Sequence, residues 1–312
     1  MAILLNNNGE RHADWKRALA AYLPRHDVIE YENISNPDEI DYAIVWKHPK
    51  GDLRRYPNLK AVLSTGAGTE HFDTDPNLPD APIFRLIDMA MAEDMALYAL
   101  YWILHFQRGF ESYREQQSAQ IWRRHPSPTA SEYKICFLGL GAIGTVIATK
   151  IAQNGFEVTG WSRSPKNIEG VKSIAGEEAL LNAIGSTDVL ISCLPLNTST
   201  RGFLNHDRLS RLKSDASIIN ISRGPILESR ALQELLDNGH ISAACLDVFD
   251  KEPLPKASPL WSHPKIHITP HMSGATNPET AVKIIAESIL KLERGETPDH
   301  IYHRPITKGA EL

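Results

Sequence analysis

Cysteine is scarce in this 312-residue chain: only Cys136, Cys193 and Cys245 occur, with no C-x-x-C spacing. That excludes a disulfide scaffold. All three sit in apolar, strand-like runs, so they read as buried free thiols rather than metal ligands, and no metal site is expected. A basic surplus is missing too. Lys and Arg total 33 against 38 Asp and Glu, a net charge of −5, which gives no surface suited to nucleic acid or an anionic membrane. Long apolar runs are absent. The longest, Met95–Phe106, is interrupted by Tyr98 and His105 and is too short to span a bilayer. The opening MAILLNNNGE lacks the basic start and apolar stretch of a signal peptide, so a cytoplasmic location is expected. Neither a solenoid-type repeat nor a low-complexity segment is found.

What the chain does have is alternation. Strand-like runs at Ala2–Leu5, Val28–Tyr31, Tyr42–Trp46, Ala61–Ser64 and Pro82–Leu86 are joined by short helical stretches. The first of these, Glu10–Leu23, places Trp15, Ala18, Leu19 and Tyr22 on one face. A small parallel sheet is predicted. Met91–Gln116 reads as one long helix, with Met95, Tyr98, Ala99, Trp102, Ile103 and Phe106 at three- and four-residue steps. A loop-like stretch holding Trp122 follows. Strands are then expected at Lys134–Leu138, Glu157–Gly160, Val171–Ile174, Val189–Cys193, Ser217–Ile221, Ser242–Leu246 and Ile266–Thr269. Helices are expected at Ala142–Gln153, Glu177–Ile184, His206–Leu212, Glu228–Asn238 and Pro278–Arg294. The later block is a complete doubly wound domain, and two domains suit a chain of this length.

The later block opens on Lys134–Gly144, KICFLGLGAIG. Gly139, Gly141 and Gly144 have G-x-G-x-x-G spacing between a strand-like run and a helical one. The first glycine turns the chain, the second admits a pyrophosphate, and the third lets the helix pack on the sheet. Ala142 and Ile143 begin the helix, whose free N–H groups face the phosphates. This context makes the motif a dinucleotide site.

The next strand runs into Trp161-Ser162-Arg163-Ser164. A dinucleotide fold usually has an acid here for the adenosine ribose. Ser162 stands in its place and Arg163 follows, with Lys166 nearby. An arginine pairs with a 2′-phosphate that a carboxylate would repel. NADP(H) is therefore the preferred cofactor, with NAD(H) possible.

Three further stretches end predicted strands: Asn220–Gly224, Leu246–Phe249 followed by Glu252-Pro253-Leu254, and Thr269–Gly274. Together with Gly66-Ala67-Gly68, Met91-Ala92-Glu93 and Leu194-Pro195, they resemble the D-isomer-specific 2-hydroxyacid dehydrogenase family over essentially the whole chain. The similarity is greatest to its glyoxylate/hydroxypyruvate reductase A-like branch, through Val45-Trp46, Trp161-Ser162-Arg163, and Glu252–Pro255 leading to Ser258–Trp261.

The resemblance implies an α/β fold. A doubly wound parallel sheet (Rossmann) cofactor domain, residues 99–277, is inserted in a smaller flavodoxin-like α/β substrate domain, residues 1–98 plus 278–312. The cleft is expected between them. Arg223, Glu252 and His271 match the family's catalytic residues. Arg223 suits a substrate carboxylate and carbonyl. His271 suits a proton donor, with Glu252 raising its pKa and fixing its orientation. Leu194, Pro195, Thr200, Ile221 and Gly274 are expected along the cofactor, and Asp247 near the nicotinamide carboxamide. Trp46, Lys47, Ala67 and Gly68 are expected to bind substrate with Arg223 and His271, and Met272 to lie close. Related reductases are dimers in which a tryptophan from the Trp122 region reaches the partner's site, so a homodimer is expected. Arg85 and Trp102 read as packing residues, His263 and His267 as structural or surface ones.

The expected activity is NADPH-dependent reduction of glyoxylate to glycolate and of hydroxypyruvate to D-glycerate. A bulkier keto acid such as phenylpyruvate is the alternative. A remote one is a non-catalytic NAD(P)-sensing protein like the superfamily's corepressors.

Overall fold

The structure is a computed structural model that describes residues 1–7 and 11–304. The chain divides into two units, Met1–Asp88 with Thr276–Leu312, and Met89–Ala275. The division falls at 88/89, ten residues before the expected 98/99, because the helix beginning at Met89 belongs wholly to the second unit.

In the first unit the elements are β1 (Ala2–Asn6), α1 (His12–Tyr22), β2 (Asp27–Glu30), β3 (Ile40–Val45), β4 (Ala61–Ser64), α2 (Glu70–Asp73) and β5 (Ile83–Phe84). All five strands are parallel, in the order β2-β1-β3-β4-β5. Side chains alternate across the sheet. Ile3, Leu5, Tyr42 and Ile44 pack with Trp15 and Leu19 of α1 and with Val282, Ile285 and Ile289 of the C-terminal helix. Leu4, Val45 and Val62 face the other way, onto Leu53 and Phe72. Of the expected first helix, Glu10 lies outside the described residues.

The second unit holds α3 (Met89–Arg108), α4 (Phe110–Ser118), β6 (Lys134–Leu138), α5 (Ala142–Gln153), β7 (Glu157–Trp161), β8 (Val171–Ile174), α6 (Glu177–Ile184), β9 (Val189–Ser192), α7 (His206–Leu209), β10 (Ala216–Asn220), α8 (Ser229–Asp237), β11 (Ile241–Leu246) and β12 (Ile266–Ile268). The last helix, α9 (Pro278–Glu293), belongs to the first unit. Asn277 caps it by accepting from the Glu279 N–H, and Pro278 starts its first turn. The seven strands run parallel in the order β12-β11-β10-β9-β6-β7-β8. This is a doubly wound sheet whose order reverses between β6 and β9. Phe137, Ile191 and Ile219 pack under α3 and α5, while Leu138, Leu190 and Ile218 pack under α6 and α8.

Two expected helices are corrected. Met91–Gln116 is not one helix: Gly109 adopts φ 62° and splits it into α3 and α4. The apolar period runs through the break, so periodicity alone hides it. His206–Leu212 shrinks to the single turn of α7.

Candidate active site

The ladders of the second sheet align one row of residues across it. Ile174 pairs with Trp161, Trp161 with Leu138, Leu138 with Ser192, Ser192 with Asn220, Asn220 with Leu246, and Leu246 with Ile268. The chain leaves each of the six strands from β6 to β12 other than β8 at this row. Gly139, Ser162 and Arg163, Leu194, Ile221 and Arg223, Asp247 and Glu252, and His271 all follow within six residues of it. The common register is what gathers them along one edge.

At the switch point, Gly139 has φ 104°, and a Cβ there would lie 2.6 Å from the Cys193 carbonyl oxygen. Any side chain on Gly144 would overlap the Gly139 carbonyl oxygen. Both positions demand glycine. Nothing lies within 4 Å of a Cβ on Gly141, which with Ala142 is exposed at the start of α5. The β6 turn therefore offers an open helix N-terminus, as a pyrophosphate requires. Beyond β7, Ser162 Oγ donates to the Ser164 carbonyl at 2.8 Å. Arg163 and Lys166 are exposed, and among the described residues Arg163 has no carboxylate partner. Leu194, Thr200 and Ile221 are buried and Pro195 is exposed. Thr200 closes its loop by accepting from the Asn197 N–H at 2.8 Å. A side chain on Gly274 would meet the Met95 sulfur at 2.9 Å.

His271 and Glu252 meet directly: Nδ1 lies 2.8 Å from Oε2. A carboxylate only accepts, so Nδ1 carries the hydrogen and Nε2 faces away from the pair. Glu252 Oε1 accepts from the Phe249 N–H at 3.1 Å, which fixes the carboxylate. His271 takes the left-handed φ of 52°, and its N–H donates to the Asp247 carbonyl at 2.8 Å.

Asp247 is fully buried. Its carboxylate accepts from Thr269 Oγ1 at 2.6 Å, the Met272 N–H at 2.9 Å and the Ser273 N–H at 2.9 Å. It thus clamps both sides of His271. This loop-holding role was not expected. Nor was Tyr98, whose phenol lies 2.6 Å from Thr269 Oγ1 and 3.1 Å from Cys245 Sγ. Its helical spacing made it look like a core residue, and nothing in the sequence joins positions 98 and 269.

Arg223 leaves the Asn220 turn, which is built from buried polar groups. Ser222 Oγ donates to Asn220 Oδ1 at 2.6 Å and lies 2.9 Å from Ser192 Oγ. Arg223 itself donates to the Ser222 carbonyl at 2.7 Å. Burial pushes the Cys193 thiol up to about 11, and the nearby Arg223 charge works against that rise.

The expected substrate residues of the first unit form their own group. Trp46 follows β3, and its ring lies over Gly66. A Cβ on Gly66 would sit 2.5 Å from the ring. The edge of His71 holds the ring at 5.0 Å between centroids. Lys47 is exposed with φ 52°, its Nζ 5.9 Å from the Trp46 ring. Ala67 and Gly68 are half-buried after β4. Trp122 is fully exposed, at 103%. No helix among the described residues is long and apolar enough to cross a membrane.

Comparison with known proteins agrees with this architecture. Residues 100–273 match the family described as D-isomer specific 2-hydroxyacid dehydrogenase, NAD binding domain. A D-isomer specific 2-hydroxyacid dehydrogenase from Xanthobacter autotrophicus Py2, solved with NADPH and MES, is 38% identical with a TM-score of 0.92, covering 97% of this chain and 98% of that one. The NADPH-dependent glyoxylate/hydroxypyruvate reductase of Sinorhizobium meliloti, solved with NADP and sulfate, is 31% identical with a TM-score of 0.90, covering 96% and 98%. A probable 2-hydroxyacid dehydrogenase from Rhizobium etli CFN 42, solved with NADP, HEPES and L(+)-tartaric acid, is 31% identical with a TM-score of 0.87, covering 97% and 98%. A glycine turn at the switch point, a histidine–glutamate pair on the same sheet edge and these full-length likenesses lead to one conclusion: the chain belongs to the D-isomer specific 2-hydroxyacid dehydrogenases.

Proposed function

We propose that this enzyme reduces small 2-keto acids with NADPH, glyoxylate and hydroxypyruvate above all. The observation that carries the reading is the His271–Glu252 pair, 2.8 Å apart, on the sheet edge that also bears Arg223. The likeness to the S. meliloti reductase supports the substrate class.

The open β6 turn would hold the pyrophosphate, and Ser162 with Arg163 the adenosine 2′-phosphate. NAD(H) would lack that second contact. The NADPH and NADP bound by the three relatives support this choice. When bound, the nicotinamide supplies the hydride that reduces the keto carbon. Arg223 holds the substrate carboxylate and polarises the carbonyl. The protonated His271 ring donates from Nε2 to the carbonyl oxygen, while Glu252 keeps Nδ1 engaged and balances the imidazolium charge. Asp247 keeps the loop in place and would help to hold the carboxamide of the bound cofactor.

The protein works as a homodimer. The exposed stripe Leu97, Tyr101 and Leu104 on α3, with Trp122 beyond it, supports a second copy as the covering surface.

Oxidation of NADPH and NADH with 2-keto acids of increasing C3 size tests the reading. Fast turnover of glyoxylate and hydroxypyruvate with NADPH is expected, with the Michaelis constant for NADPH raised at least tenfold in Arg163→Ala. Preference for phenylpyruvate would overturn the substrate assignment, and an unchanged constant the cofactor assignment.

A further inference from the structure

Away from the Arg223–Glu252–His271 edge, three side chains from three elements converge. His105 lies in the last turn of α3, Glu111 in the first turn of α4 beyond the Gly109 break, and His267 at the centre of β12. One ligating atom from each lies within 4.8 Å of the others. His105 Nε2 and Glu111 Oε2 are 3.8 Å apart, too far for a hydrogen bond. Both atoms are shielded from solvent, and neither has a hydrogen-bond partner among the described residues. The His105 side chain is only 9% exposed.

Leaving two such atoms unsatisfied costs stability. Aromatic rings close the surroundings: Trp102 lies 5.2 Å from the His105 ring and 4.9 Å from that of His267, and Phe110 lies 6.1 Å from His105. We propose that His105, Glu111 and His267 form a binding site for a divalent transition metal of the zinc type.

Two imidazoles and one carboxylate suit zinc, with water in the fourth position. Calcium and magnesium prefer sets made of oxygen alone. Metal–ligand bonds of about 2.0–2.2 Å require the three atoms to draw slightly closer. Glu111 is partly exposed and free to make that move. The cation facing the cluster is Arg114, whose Nη1 is 4.0 Å from Glu111 Oε2. Its side chain is well exposed and can turn to water. A bound ion would tie α3, α4 and β12 together at the strand that leads into His271. The expectation of no metal site rested on spacing in the sequence, and residues 105, 111 and 267 have no spacing to notice.

The test uses the full-length protein stripped with a chelator and titrated calorimetrically with zinc chloride. Cobalt(II) serves as a spectroscopic probe. One zinc per chain, visible cobalt bands of a four-coordinate site and a raised melting temperature are expected. Glu111→Gln and His267→Gln should each weaken zinc at least about tenfold, since each removes a ligand. His12→Gln, in the more exposed group His12, Glu30 and Glu32, should leave binding unchanged. Glu111→Gln alters a partly exposed side chain, so it reports on the site even if His267→Gln fails to fold. No saturable binding, binding indifferent to Glu111→Gln, or binding lost in His12→Gln would overturn the proposal.

Discussion

Gly224 is seated against the backbone of Phe249 so closely that a methyl group on it would overlap the Phe249 carbonyl carbon. This contact joins the turn bearing Arg223 to the loop that delivers Glu252. Gly224→Ala should cost about 1–3 kcal/mol through overpacking and lower kcat/KM, read by urea unfolding and steady-state kinetics. Wild-type behaviour in both would show that the loops tolerate separation.

Glu252→Gln keeps the shape of the side chain but removes the charge beside His271. Its kcat should fall by about 10²–10⁴-fold, the usual worth of a positioned acid–base group, while the fold is retained by circular dichroism. His271→Gln should fall at least as far. Full activity in either variant would remove the pair from the chemistry.

Thr269→Val deletes one of the three donors to the buried Asp247 carboxylate. A loss of about 1–3 kcal/mol is expected, with kcat reduced because the His271 loop loosens. Tyr98→Phe removes only the outer member of the chain and should have a smaller effect in the same direction. Equal effects of the two would contradict that order.

In the first unit, His48 Nε2 lies 3.1 Å from Asp75 Oδ2 with both side chains buried. Burial lowers the His48 pKa and outweighs the Asp75 hydrogen bond. Burial also works to raise the Asp75 pKa, but N–H donation from Gly51 and Asn77 and the His48 bond carry it below the ordinary value. The unfolded chain therefore binds more protons than the folded one at both groups. Stability is full above pH 6.5, falls as pH drops toward the folded His48 value, and falls again below 3.8 as Asp75 is protonated. Melting temperature against pH measures this. His48→Gln, which does not titrate, should flatten the first decline.

Leu104→Glu places a charge on the exposed α3 stripe. Sedimentation should show the proposed homodimer weakened while the monomer stays folded. Trp122→Ala should lower activity in the dimer without that change in assembly. An unchanged dimer in Leu104→Glu would move the interface elsewhere.

Much of this was legible in the sequence because it is local. The Gly139–Gly144 turn, the missing acid after β7, and the Arg223, Glu252 and His271 stretches each sit next to a strand end that hydrophobic alternation reveals. The Gly109 break was hidden because an apolar period does not record φ. The Asp247 clamp, the Tyr98–Thr269 bond and the His105–Glu111–His267 group were hidden because their partners meet only when α3, β11 and β12 pack together. The early division at 88/89 had the same cause: α3 is apolar enough to serve either unit, and packing decides.

The aligned row from Ile174 to Ile268 serves as a baseline from which every loop is measured. It fixes where each loop begins, so that close contacts between neighbouring loops, such as Gly224 against Phe249, start from set anchors. A slip of one residue in any ladder would instead move a whole loop about 3.3 Å out of step with the rest, so such a slip would be punished across the site rather than at one residue.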